Sequence, residues 1–275
     1  MSKKRIVILD LASLGIGEAP DANRFNSVGV DTLGHVCKHA NDKLQIPNLI
    51  KLGLGSIRWD NEIAQIPQVA NPSAFYGKMV NCINTKGSGA GLREMFDFDT
   101  SVRTLSTMDL MSEKNMNISM ISSFASYLEN HDDAFSIQVP NDSKAFVELS
   151  AQLDVQFNGL IYCQPPELKR FSMNRDVAGY AEQLSNLDAQ IPELIENLSE
   201  DDLLIITSSF ANDPTLNESI TREYLPLIVF NPSNQNGKSL GIKRSSAAFA
   251  NAIAQNFDLS DTDRQLKPNF LNEVL

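Results

Sequence analysis

LLIITSSFANDPT, residues 203–215, joins an uninterrupted apolar run to a polar, turn-forming tail. An apolar run without alternation marks a strand buried on both faces, the habit of parallel sheets in α/β folds. The tail lies where that strand emerges, and in open α/β sheets ligands bind at the carboxyl end. A chemical site at such a place usually presents Asp or His, as metal ligands or bases. This chain presents Ser208, Ser209 and Phe210. The serine pair does not make a hydrolase site, because the G-x-S-x-G elbow and a histidine partner are both missing.

Outward from this strand, helices and strands alternate. Toward the C-terminus a strand is expected at 225–230 and a helix at 245–257. Toward the N-terminus come the longest helix, 176–198, with Ala178, Tyr180, Leu184, Leu187 and Ile191 on one face, and a buried strand at 157–163. Before these lie a helix at 143–153, a strand at 117–122, a helix at 105–115 and a strand at 75–80. A glycine-rich loop, TKGSGAG, follows that last strand at 85–91, and residues 55–74 show little periodicity. Helices are expected at 46–54, ending at Gly53, and at 30–40, with Asp31 as N-cap. The first strand, 5–11, is expected near the sheet centre and leads into the loop ASLGIGEAPDA, 12–22. The alternation predicts an α/β fold: a mostly parallel central sheet with helices on both faces. No repeat or linker divides the chain, so residues 1–275 read as a single domain.

With 42% hydrophobic residues, 275 residues are enough for one large core. A net charge of −11 argues against nucleic acid and anionic membranes as partners, and an anionic substrate would need local cations. Cys37, Cys82 and Cys163 are isolated and fit buried free thiols in a reducing cytosol. The basic start, Met1 to Arg5, precedes a short run interrupted by Asp10, which reads as a core strand rather than a signal peptide. No segment is long and apolar enough to span a membrane, and a cytoplasmic protein is expected.

Several segments in the same order resemble the phosphopentomutase family of the alkaline phosphatase superfamily. They are LGIGEAPDA at 14–22, DTLGH at 31–35, IPNLIKLGLG at 46–55, YGKM at 76–79, NRDVAGY at 174–180, DDLLIIT at 201–207, DPT at 213–215, TREYLPLIVF at 221–230 and KPNFL at 267–271. The resemblance covers nearly the whole chain. It implies an alkaline phosphatase-like core carrying an inserted cap domain. It also implies enzymes that interconvert ribose 1-phosphate and ribose 5-phosphate with two manganese ions and a phosphorylated threonine.

Against that family the ligand positions have changed. Where the first strand of the family ends in a metal-binding Asp, this chain has Ala12, with Asp10 two residues earlier. The family's KDTTTGHWE aligns with KGSGAGLRE, placing Ser88 at the nucleophile and Gly87 at the preceding Asp. Met173 replaces a His, and no Asp lies between Leu160 and Asn174. Ser209 and Phe210 replace a paired Asp-His, and Ile220 another His. Soon after Gly91 the chain already resembles the core that follows the cap, so the cap is expected to be absent. The family's phosphate-holding Lys falls at Ser123.

Two-metal phosphoryl transfer needs a dense Asp/His cluster, and this chain has three histidines, His35, His39 and His131. His35 and His39, four apart on one helix, are expected to form a solvated or partly buried helix face; a single metal ion is the alternative. His35 is not a ligand in the family. Asp10 and Asp213 are expected in surface or hydrogen-bonded structural roles, a weakly bound cation between the two carboxylates being the alternative. Ser88 is the sharpest catalytic candidate: Lys86, Gly87, Ser88 and Gly89 offer a phosphate cradle of backbone N–H groups and one cation. No aligned base activates the serine, and the GK[ST] of a P-loop is missing, so a loop relieved of its chemistry is the favoured reading. Arg175-Asp176 and the TREY segment are read as fold-supporting: a helix start, and a strand entry with an ion pair.

The leading expectation is therefore a catalytically inactive, cap-less phosphopentomutase-like pseudoenzyme, with no cofactor. It is retained for binding a protein partner, or itself, through an uncapped cleft lined by Phe210, Met173 and Ile220. The alternative is a phosphoryl-transfer enzyme or phosphate-ester binder rebuilt around Ser88, Lys86, Asp10 and Asp213. It would use manganese and a sugar phosphate, or Arg93, Lys169, Arg170 and Arg175 in place of metals.

Overall fold

In a computed structural model, described for residues 2–40, 43–82, 84, 87–96, 106–124, 134–216, 220–259 and 268–275, one sheet organises the chain. Its strands are β1 (Arg5–Asp10), β2 (Phe75–Met79), β3 (Asn117–Ile121), β4 (Phe135–Ile137), β5 (Gly159–Cys163), β6 (Asp202–Thr207), β7 (Leu225–Phe230) and β8 (Ser239–Lys243). The order is β4-β3-β5-β1-β6-β7-β2-β8. Only β7 runs against the others: it pairs antiparallel with β6 and β2, while every other pairing is parallel. The α/β, mostly parallel architecture agrees with the reading from sequence.

The helices are α1 (Thr32–Ala40), α2 (Pro47–Leu52), α3 (Leu54–Ile57), α4 (Ser88–Phe96), α5 (Thr107–Glu113), α6 (Asp142–Asp154), α7 (Glu167–Met173), α8 (Val177–Glu196), α9 (Ala248–Asn256) and α10 (Leu271–Val274). The apolar runs of β1 and β6 have a simple cause. Successive strand residues point to opposite faces, and both faces are covered. Val7, Leu9, Leu204 and Ile206 pack with Leu33 of α1, Leu49 of α2, Leu149 of α6 and Leu184 of α8. Ile6, Ile8, Leu203 and Ile205 pack with Leu92 of α4, Met108 of α5, Phe249 of α9 and Leu271 of α10. Each such side chain contributes on the order of 2 kcal/mol by leaving water.

Local signals set several boundaries. Asp176 caps α8 by accepting the Gly179 N–H, and Asp31 caps α1 by accepting the Gly34 N–H at 3.1 Å. Gly53, at φ 111°, ends α2. Ser106 and Asp109 form a capping box on α5. At the amino edge of the sheet, Arg5 grips Asp202 through two bonds of 2.8 and 2.7 Å and also reaches the Leu153 carbonyl at 2.7 Å.

Four expectations need correction. The glycine-rich segment at 85–91 is not all loop, because its second half opens α4. Gly91 is required there by close approach, since a Cβ would stand 1.6 Å from the Ser209 carbonyl oxygen. Residues 164–175, read from sequence without structure, contain α7, which starts directly after Pro165-Pro166. The edge strands β4 and β8 are short and mostly exposed, so they carry no continuous apolar run. Cys37 and Cys163 are buried free thiols, but Cys82 is exposed.

Candidate functional site at the carboxyl edge of the sheet

β1 ends on Asp10, which pairs in register with Thr207 at the end of β6. The Asp10 carboxylate is completely buried. Its Oδ2 accepts from the Tyr162 hydroxyl and, at 2.8 Å, from the Gln164 amide. Its Oδ1 accepts from the Ser209 N–H at 2.9 Å. Burial pushes the Asp10 carboxyl above its ordinary range, against the pull of those three donors. The cation facing this carboxylate is Lys169 on α7. Its ammonium lies 5.3 Å from the Phe124 ring centroid and 5.8 Å from that of Phe210. Desolvation pulls the Lys169 pKa down, and the Asp10 charge opposes it.

The predicted ligand positions surround this arrangement without forming a metal site. Ala12 is buried, and the Ser13 and Asn212 backbones are knitted together through the Phe210 carbonyl and the Ser13 carbonyl at 2.9 and 3.0 Å. Ser13 carries φ 89°, a strained value for a non-glycine residue. Ser208 and Ser209 are fully buried, the Ser208 hydroxyl donating to the Phe210 carbonyl at 2.5 Å. Phe210 itself is 2% exposed, so it does not line an open apolar cleft, contrary to expectation. A phenyl ring between strand ends lowers its free energy by packing inward under the Lys169 stem and ammonium. Met173 is half-buried, its sulfur accepting from the Asn212 amide at 3.4 Å. Ile220 is half-buried and borders, with Asn81, Gly87 and Phe210, a cavity of about 20 Å³, room for one water at most. Ser88 begins α4, and Lys86 lies outside the described residues, as does His131. Arg170 pairs with Glu167, and Arg93 and Arg175 are exposed, so these cations do not gather with Lys169.

A second cluster unites Glu223 of TREY, read from sequence as fold-supporting, with the segments around Gly17, Thr32 and Asp213. Glu223 is buried and accepts four bonds: from the Gly17 and Thr32 N–H groups at 3.3 and 2.9 Å, and from the Thr32 and Thr221 hydroxyls at 2.7 and 2.6 Å. Burial raises its pKa to about 6. Asp213 is fully buried and accepts from the His35 ring at 2.5 Å, the Thr215 hydroxyl at 2.7 Å and the Asp31 N–H at 3.2 Å. Arg58 clamps Asp31 at 2.6 and 2.8 Å, and Arg222 pairs with Asp21 at 2.9 Å while lying 4.4 Å from the Phe25 ring. Motifs far apart in sequence, GIGEAPDA, DTLGH, DPT and TREY, therefore form one hydrogen-bonded knot. Sequence reading missed this knot because no single pair in it has a diagnostic spacing. The available signal was that these segments keep their resemblance while the ligand positions do not.

The two manganese ions implied by the resemblance do not fit these residues. Among the described residues no three His, Cys, Asp or Glu side chains gather where they could hold a metal ion. Asp10 and Asp213 share no hydrogen-bond partner, and protein donors occupy both oxygens of Asp10. A cavity of about 720 Å³ lies between α6 and α8, and none of the predicted site residues borders it.

Residues 135–261 match a family described as the Metalloenzyme superfamily. Solved structures similar to this chain include the alkaline phosphatase from the Antarctic bacterium TAB5, with a TM-score of 0.56 at 10% identity, covering 95% of this chain and 100% of that one. The C-terminal periplasmic domain of EptC from Escherichia coli, in complex with zinc, gives 0.56 at 11% identity over 98% of this chain and 88% of that one. The PH0037 protein from Pyrococcus horikoshii gives 0.56 at 10% identity over 96% and 100%. At such identities the likeness concerns the fold. The chain thus has an alkaline phosphatase-like fold, and residues 135–261 carry the similarity to the Metalloenzyme superfamily.

Proposed function

We propose that this protein is a catalytically inactive, cap-less relative of phosphopentomutases, a cytoplasmic pseudoenzyme of one domain that keeps the framework for binding or assembly. One observation carries the reading. The carboxylate nearest the family's metal position, Asp10, has its oxygens occupied by Tyr162, Gln164 and Ser209, with Phe210 packed beside them. A dication needs open lone pairs on several such groups, and here hydrogen-bond donors of the protein take them up. The proposed partner is a protein, including a second copy of this chain. Phe210 contributes nothing to that surface.

A second reading, a phosphate-ester binder without metal, draws support from Lys169. Its ammonium has no ion-pair partner among the described residues, only the two rings. A thermal-shift titration with manganese, with and without ribose 5-phosphate, run beside an authentic phosphopentomutase, tests both readings, because a ligand of the folded state raises apparent stability. The pseudoenzyme reading predicts no shift. A shift with ribose 5-phosphate alone, lost in Lys169→Ala, favours the binder. A manganese shift enlarged by the sugar phosphate and lost in Ser88→Ala sinks the pseudoenzyme reading.

A further inference from the structure

Helix α1 carries two histidines one turn apart, and the function proposed above uses neither. His35 Nδ1 lies 2.5 Å from Asp213 Oδ2, and His39 Nδ1 lies 2.8 Å from the His35 carbonyl oxygen. A carbonyl oxygen and an ionised carboxylate only accept, so in each ring Nδ1 is the protonated nitrogen. In the neutral form of each ring the lone pair is then on Nε2. Residues four apart on a helix lie one above the other on the same face. Solvent reaches this face: the His35 side chain is 28% exposed and His39 is exposed.

Metal-ligating histidines characteristically give their second ring N–H to a carboxylate or a backbone carbonyl, which fixes both tautomer and ring orientation. Both kinds of support are in place here. Asp213 anchors the first ring, and is itself fully buried and held by Thr215 and the Asp31 N–H. The helix backbone anchors the second. Each of these bonds engages Nδ1 and leaves Nε2 of the ring outside it.

We infer that His35 and His39 form a two-histidine site for a late first-row divalent ion, nickel, copper or zinc, with water completing the coordination shell. Imidazole suits these ions, whereas manganese and magnesium prefer oxygen donors. The site is distinct from the two-metal centre of the family, whose positions are Ala12, Met173, Ser209, Phe210 and Ile220.

The test is isothermal titration of the full, tag-free chain with nickel chloride and with zinc chloride. His39→Ala is the decisive variant, because His39 is exposed and its loss leaves the buried Asp213 paired. Expected are one ion per chain in the wild type, unchanged binding in His131→Ala and Cys82→Ser, and loss of binding in His39→Ala with its unfolding midpoint kept. Asp213→Asn, which weakens the support of His35, should bind roughly tenfold or more weakly. No binding by the wild type, or binding unchanged in His39→Ala, overturns the inference. Neither result bears on the pseudoenzyme reading, which is tested by the thermal shifts with manganese and ribose 5-phosphate.

Discussion

Replacing Glu223 with Gln should change how stability depends on pH more than it changes the fold. Glu223 is buried under the loop that joins β1 to α1, and burial raises its carboxyl to about 6 from an ordinary 4.5. The native state therefore holds this proton more tightly than the unfolded chain does, and stability falls as pH rises from about 4.5 to about 6. Above that window the ionised group costs roughly 2 kcal/mol relative to its protonated form. The Gln amide oxygen can face the two backbone donors, Gly17 and Thr32. Its NH₂ can then meet the Thr32 and Thr221 hydroxyls, which rotate to accept. The variant thus removes the titration and keeps the shape. Denaturant unfolding of wild type and Glu223→Gln, measured side by side between pH 4 and pH 8, reads the difference directly. The other carboxyls that burial raises, Asp10, Asp142 and Asp188, titrate in both proteins and cancel. Relative to the wild type, the variant should gain about 2 kcal/mol between the acid and neutral ends, with the change centred between the two pKa values. A difference that stays flat with pH, or one that favours the wild type as pH rises, refutes the reasoning.

Two further outcomes follow from packing. Gly91→Ala places a methyl 1.6 Å from the Ser209 carbonyl oxygen, a backbone atom that cannot swing aside, so α4 must shift away from the β6 end. Overpacking of this kind costs about 1–3 kcal/mol or more, read as a lowered unfolding midpoint; an unchanged midpoint would show that α4 does not sit against that turn. A thiol reagent added to the native protein should label Cys82 rapidly and label Cys37 and Cys163 only after denaturation. Burial raises all three thiols, Cys37 to about 11 and Cys163 higher still, but Cys82 alone is exposed to the reagent. Rapid labelling of all three in the native state would contradict the described core.

The sequence determined the α/β class, the central place of the strand after the N-terminus and the two-sided burial of LLIIT, because periodicity and apolar run length report directly on how many faces of a strand are covered. It also supplied the caps, Asp31, Asp176 and Gly53, since a cap is a local bond between near neighbours. It identified which ligand positions of the resembled family are occupied by other residues. Tertiary structure alone decided the rest. The reversed direction of β7, and the edge strands β4 and β8, depend on partners distant in sequence. Whether Phe210 faces solvent or the interior depends on Lys169, more than 40 residues away, covering it. Asp10 was legible as a carboxylate at a strand end. Its closure by Tyr162, Gln164 and Ser209 was not, because those donors arrive from two other strand ends. His35 and Asp213 are separated by 178 residues, and only the approach of the β6 tail to α1 joins them. A sequence fixes what each side chain can donate or accept; the fold sets which groups meet, and so whether a carboxylate at the edge of a sheet holds a metal or a hydrogen bond.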